Sequence, residues 1–183
     1  MKHTLLIVDD EASILSSLVR LFRREDFRVL TATSGRNALK LLEENDVSLI
    51  ISDYRMPETD GVELLSRARE ISPDTIRIIL TGYADLDAAV DAINKGEVYK
   101  FITKPWNNEE LLQTVKRSLD YLDLMRANRR LTRTVKKQAH IIRKLEESHP
   151  GITNVVRTDD GSIVVNEEEF EGKTLDDILK EEG

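Results

Sequence analysis

The 183-residue chain contains no cysteine. Disulfides, thiolate zinc sites and cysteine nucleophiles are therefore excluded, and the absence suits a reducing compartment. Long apolar runs are missing too: none approaches the roughly 20 residues that a bilayer-spanning helix needs. The N-terminus enters a strand-like pattern directly, without the architecture of a signal peptide. The chain is expected to be soluble and cytoplasmic, with no membrane association. From Trp106 to His149 there is neither proline nor glycine, so nothing in that stretch interrupts a helix.

What is present suits a folded protein. Hydrophobic residues make up 40% and charged residues 33% of the sequence, which argues against wholesale disorder. The length allows one domain of about 120 residues plus an appendage, or two small domains. Charge is unevenly spread. Residues 1–125 carry 16 Lys/Arg against 22 Asp/Glu, residues 126–144 carry eight bases and no acid, and residues 149–183 carry three bases and ten acids. Segments this different imply different tasks.

Up to about residue 120, short apolar runs alternate with amphipathic ones. "TLLIVDD", "FRVLTA", "VSLIISD", "TIRIILT" and "VYKFITKP" read as five strands. "SILSSLVRLFRRED", "GRNALKLLEEN", "DGVELLSRAREI" and "DLDAAVDAINKG" read as the helices between them. Runs such as Leu49–Ile51 and Ile78–Leu80 are apolar without alternation, as in strands covered on both faces. The expected fold is α/β, a doubly wound five-stranded parallel sheet of order 2-1-3-4-5. Asn107 can cap a last helix, with Glu110 three residues on. That helix runs to Pro150, roughly 40 residues or about 60 Å, too long to bury itself against one small domain. Beyond it, "ITNVVRTDDGSIVVN" reads as a hairpin turning at Asp160-Gly161, and "TLDDILKEE" as a terminal helix capped by Thr174. The expected divisions are residues 1–120, 121–148 and 149–183.

In such a sheet, ligands bind beyond the carboxyl ends of the strands, near the point where strand order reverses. Strand one ends at Asp9 and Asp10, strand three at Asp53, strand four at Thr81, and strand five at Lys104 and Pro105. Neighbouring strands would bring three carboxylates, a hydroxyl and an ammonium together. Clustered aspartates stay ionised only beside a compensating charge. A hard cation such as Mg²⁺ would supply it, and a metal-bound carboxylate can act as a nucleophile towards phosphorus.

These residues resemble the receiver domain of a two-component response regulator over about residues 3–120. The acidic pair Asp9-Asp10, the stretch "SDYRMPETDG", the segment "LTGYAD" and the segment "KFITKPW" stand in family order. The resemblance implies that Asp53 is the phosphoacceptor, taking its phosphoryl group from a sensor histidine kinase or a phosphotransfer protein. It implies Mg²⁺ held by Asp10, Asp53 and the backbone carbonyl of Arg55, with Asp9 acting mainly through water. Lys104 would bridge to the phosphoryl group, Thr81 would move to bond it, and Phe101 would be the aromatic switch residue. Lys104–Pro105 would be a cis peptide, and Met56, Pro57 and Gly61 would shape the loop after the acceptor. Arg55 and Tyr83 flank the path of hydrolytic water in the family, so slow self-dephosphorylation is expected. Such a protein does chemistry only on its own aspartate and is not a turnover enzyme.

Counted from Tyr121, apolar residues fall on heptad positions a and d at Leu124, Leu131, Val135, Ile142 and Leu145, with Asn128 and Gln138 interrupting. The bases Arg129, Arg130, Arg133, Lys136, Lys137, Arg143 and Lys144 fall on b, c or f. A parallel coiled-coil homodimer through residues 121–148 is expected, a buried Asn being a known device for register. The switch would then repack the face formed by the fourth helix, fifth strand and fifth helix, and signal through the dimer to an unidentified downstream protein. Nucleic acid is an unlikely partner on this reading, because no helix-turn-helix or basic-zipper pattern accompanies the bases. The alternatives are the regulatory part of a larger enzyme, of cyclase or cyclic-nucleotide phosphodiesterase type, and, more weakly, a DNA-binding regulator. His3, His140 and His149 show no ligand spacing and are expected to be solvated.

Overall fold

The structure, a computed structural model, describes residues 3–57, 59–82, 90, 93 and 98–149, together with the backbone of 156–157 and 163–164. Five strands form one parallel sheet: β1 (Thr4–Val8), β2 (Arg28–Ala32), β3 (Leu49–Asp53), β4 (Ile76–Thr81) and β5 (Lys100–Thr103). Their order is β2-β1-β3-β4-β5, as the interleaved pattern predicts. In register, Leu6 lies beside Leu30 on one side and Ile50 on the other, and Asp53 lies beside Leu80. Because β2 and β3 flank β1, the chain reverses its direction of winding there, and the ends of β1 and β3 open onto one crevice.

Three shorter helices cover the sheet: α1 (Ala12–Phe22), α2 (Gly35–Glu44) and α3 (Gly61–Ile71). Alternate side chains of the strands feed two cores. On one face Leu5, Ile7, Leu49, Ile51, Ile78 and Leu80 meet Leu18 and Phe22 of α1. On the other, Leu6, Val8, Ile50 and Ile79 meet Ala38 and Leu42 of α2 and Leu64, Leu65 and Ala68 of α3. The side-chain oxygens of Ser34 and Asp60 accept from the amides of Asn37 (3.3 Å) and Glu63 (2.7 Å), capping α2 and α3. α1 ends at Phe22, short of the stretch assigned to it from sequence. No apolar residue falls between Phe22 and Phe27 to bury a further turn, and those two rings meet edge to face at 6.3 Å. Of the helix expected over "DLDAAVDAINKG", only Val90 and Ile93 are described, and both are helical.

The long helix α4 (Asn108–Ser148) has 41 residues. Asn107 Oδ1 accepts from the amides of Glu109 (2.8 Å) and Glu110 (3.2 Å), providing the expected cap. Leu111, Val115, Leu119 and Leu122 repeat at helical spacing and are buried in the core shared with α1. Lys116 Nζ pairs with Glu25 at 2.9 Å and Arg126 with Asp46 at 3.5 Å. Exposed pairs of this kind add little individually. The solvated histidine expected at position 3 is corrected here. His3 Nδ1 lies 3.1 Å from Ser48 Oγ and Nε2 lies 3.2 Å from Asp123 Oδ2, so the ring links the start of β1 to α4.

The chain divides into two compact units, residues 1–128 and 129–183. In the second, Leu131 (68%), Val135 (61%) and Ile142 (52%) are open to solvent along the helix. Val156–Arg157 and Ile163–Val164 pair antiparallel, Val156 beside Val164, which is the hairpin expected around Asp160-Gly161. The turn itself and the segment read as a terminal helix lie outside the described residues. None of the helices, among the described residues, is long and apolar enough to cross a membrane.

Candidate functional site

β1, β3, β4 and β5 all deliver polar groups to the same end of the sheet, β1 two of them. Asp9 follows β1 directly and is fully buried. Its Oδ1 accepts from the amide of Glu11 at 2.8 Å, a local turn that fixes the carboxylate. Asp10 is exposed beside it. Asp53, the last residue of β3, is 8% exposed. One carboxylate oxygen from each of Asp9, Asp10 and Asp53 lies within 4.8 Å of the other two. Lys104 reaches in from the end of β5, its Nζ 2.7 Å from Asp53 Oδ1 and 3.1 Å from Asp9 Oδ2. The Lys104 amide donates to the Thr81 carbonyl at 2.8 Å, which sets the start of that side chain beside β4. The Lys104–Pro105 peptide is cis.

The charges of this cluster compete. Burial pushes the Asp53 carboxyl above its ordinary range. The hydrogen bond and charge of Lys104 pull it back, while the charge of Asp9 pushes it up further. For Lys104, burial acts to lower the ammonium, but the Asp53 and Asp9 carboxylates outweigh it and hold the group above its ordinary value. One ammonium thus faces three carboxylates, a surplus of negative charge that a hard divalent cation fits.

Thr81 is fully buried at the end of β4, its Oγ1 donating to the Gly82 carbonyl at 3.2 Å. Phe101 lies on β5, partly buried against the core of α2 and α3. Arg55 is exposed two residues after Asp53, and Tyr83 lies outside the described residues. Gly61 sits beneath Asp53: a methyl group built there would overlap the Asp53 carbonyl oxygen. The Gly61 amide donates to the Tyr54 carbonyl at 2.8 Å, closing the loop between β3 and α3. Ser52, which the sequence did not single out, donates from Oγ to the Asp53 carbonyl at 2.9 Å. Its place one residue before a strand-end acid was the available signal.

A doubly wound parallel sheet whose strand ends bring together three acids and a lysine defines the class: an α/β domain with its polar site in the crevice at the carboxyl ends of the strands. The comparisons with known proteins name the family. Residues 5–116 match the model of the response regulator receiver domain, and the chain belongs to that family. It is 36% identical over 152 residues to the hydrogenase transcriptional regulatory protein HoxA of Bradyrhizobium diazoefficiens, covering 83% of this chain and 31% of that protein. It is 32% identical over 171 residues to the transcriptional regulatory protein GlrR of Escherichia coli, covering 93% and 37%. The chain therefore spans about a third of the length of these curated relatives. Among solved structures, one described as the adenylate cyclase from Rhodopirellula baltica superposes with a TM-score of 0.70 at 34% identity, covering 73% of this chain and 98% of that one.

Proposed function

We propose that Asp53 is the phosphoacceptor of a two-component system. The observation that carries this reading is the meeting of Asp9, Asp10 and Asp53 at the strand ends, with the ammonium of Lys104 on Asp9 and Asp53. A carboxylate oxygen of Asp53 attacks the phosphorus of a phosphohistidine on a partner kinase or phosphotransfer protein. The new O–P bond forms as the P–N bond breaks, and the departing imidazole nitrogen takes a proton from solvent. Asp10, Asp53 and the carbonyl of Arg55 would hold Mg²⁺, with Asp9 acting on it mainly through water. When bound, the ion supplies charge neutralisation for the phosphoryl oxygens. Lys104 shifts its ammonium from the bare carboxylates to the phosphoryl group. Thr81 turns its hydroxyl from the Gly82 carbonyl towards a phosphoryl oxygen, and Phe101 packs into the space vacated beside it. The exposed Arg55 side chain, with Tyr83, shields the phosphoryl group from water and slows its loss. The reaction is confined to the protein's own aspartate.

Residues 1–120 form the receiver, 121–148 a coiled coil joining two copies, and 149–183 a small acidic appendage. The exposed Leu131, Val135 and Ile142 support a helical seam. The absence of any described helix able to cross a membrane fits a cytoplasmic protein. Incubation with a small phosphodonor and Mg²⁺ tests the core of this reading by intact mass. One phosphoryl group is expected on the wild type and none on Asp53→Ala; equal labelling of both would overturn it.

A second reading gives the helix a nucleic-acid role. It is favoured by relatives named as transcriptional regulators and by eight bases without an acid across 126–144. The first reading treats those bases as the solvated face of the coil. Filter binding separates the two: a steep fall of affinity with salt supports phosphate contacts, and a slope near zero excludes them.

A further inference from the structure

The far half of α4 gathers cations on a stretch that no acid relieves. Residues 129–144 hold seven Lys/Arg and no Asp or Glu. Arg130, Arg133, Lys136, Lys137, Arg143 and Lys144 are all exposed, and among the described residues none of their side chains meets a carboxylate. Lys116 and Arg126, nearer the start of α4, are by contrast paired. Arg133 stands three or four residues from Arg130, Lys136 and Lys137, and like charges at that spacing destabilise a helix. The helix dipole favours a cation in the last turn, but that turn holds none of them. This face therefore calls for counter-charge from outside the helix.

The same compact unit, residues 129–183, carries that counter-charge in its sequence. Residues 166–183 have eight acids against two bases, a net charge of −6, to set against +7 over 129–144. Length permits the match. The helix rises about 22 Å from Arg129 to Lys144, and the extended length of 166–183 is up to about 60 Å. Between the two segments, the antiparallel pairing of Val156–Arg157 with Ile163–Val164 turns the chain back. We propose that residues 166–183 dock on the basic face of their own chain's α4 through carboxylate–cation pairs. The acidic segment is then an internal counter-ion that closes this face to other polyanions. Because the bases avoid Leu131, Val135 and Ile142, the segment leaves those apolar residues uncovered. The inference stands whether or not α4 pairs with a second copy. Under the second reading above, the segment competes with nucleic acid for the same bases.

Zero-length carbodiimide cross-linking of the full chain, with peptide mapping, reads these contacts directly. The reagent joins a lysine amine to a carboxylate it touches, forming an amide with loss of water. At low salt, Lys136, Lys137 and Lys144 are expected to join acids of 166–183 within one chain. The exposed Lys40 and Lys100 of the receiver should not. In 1 M salt, where the screening length is about 3 Å, the links should fall away. Arg130→Gln, Arg133→Gln and Arg143→Gln together keep every lysine and place a good helix former at each site. The yield at the three helix lysines should then drop at least about 3-fold, some 1.4-fold for each exposed pair lost. Glu167→Gln with Glu168→Gln, Glu169→Gln and Glu171→Gln should lower the yield at the remaining Asp176, Asp177, Glu181 and Glu182 at least about 4-fold. Either variant suffices if the other folds poorly. No link from 166–183 to the helix lysines, equal yield at Lys40 and Lys100, or links only between two copies overturns the proposal. So does a yield indifferent to salt and to these substitutions.

Discussion

The surroundings of Asp53 disfavour its ionisation. Its carboxyl is pushed above the ordinary value chiefly by burial, with Lys104 opposing and Asp9 adding to the rise. An acid whose value is higher in the folded than in the unfolded state favours folding when protonated, and its ionisation weakens the fold above that value. In chelated buffer near neutral pH, Asp53→Asn is therefore expected to raise the urea midpoint, and the gain should vanish as pH falls and wild-type Asp53 protonates. Saturating Mg²⁺ should reverse the order, because a ligand at 100 times its Kd stabilises the wild type by about 2.7 kcal/mol. Lys104 titrates with the opposite consequence. Its raised value means stabilisation that is complete below 10.5 and lost as pH climbs through the folded value. Lys104→Met leaves the fully buried Asp9 without its cation. The expected loss is about 2 to 3 kcal/mol in chelated buffer, under the 3–5 of a fully buried pair because the lysine is partly exposed. Urea unfolding at pH 8 and again above the raised folded value of Lys104 checks both the loss and its disappearance. Asp9, Asp53 and Lys104 were legible in the sequence, since each follows an apolar run. The links from His3 to Ser48 and Asp123 were not, because they join residues 45 and 120 positions apart that carry no motif.

At the scale of elements, continuous apolar runs and capping residues identified the strands and most of the helices. Sequence overshot at α1, where charged residues continue a helical spacing that has nothing left to bury. Gly61 illustrates a residue whose weight only packing reveals. In the sequence it is an ordinary helix start, yet any side chain there runs into backbone at Asp53. Gly61→Ala is expected to destabilise by at least about 1 to 3 kcal/mol, as overpacking does, and to slow phosphoryl uptake by displacing the acceptor. Thermal unfolding and the rate of mass gain read the two effects separately. The far half of α4 has a different logic, its apolar residues standing in water at Leu131 and Val135. Leu131→Asp places a charge in the proposed seam. Light scattering should show a monomer, with phosphoryl uptake by Asp53 unaffected; an unchanged mass in solution would discard the coiled coil.

Across the whole molecule, charge and structure divide along related lines. The acidic receiver gathers its surplus negative charge at one crevice, the bases concentrate on the helix, and the acids return after it. Strand order was readable because parallel strands with short crossovers admit few topologies, and that order brings the four site-bearing strands together. The stacking of Tyr99 on Tyr121 was not readable, since nothing local distinguishes either from any exposed aromatic. The most direct measurement of the central claim is phosphoryl uptake titrated against Mg²⁺, followed by intact mass with the labelled residue located by peptide mapping. The account requires saturable uptake of a single group on Asp53, abolished by chelation and shifted to much higher Mg²⁺ in Asp10→Asn. Uptake indifferent to chelation, or carried by a residue other than Asp53, would contradict it.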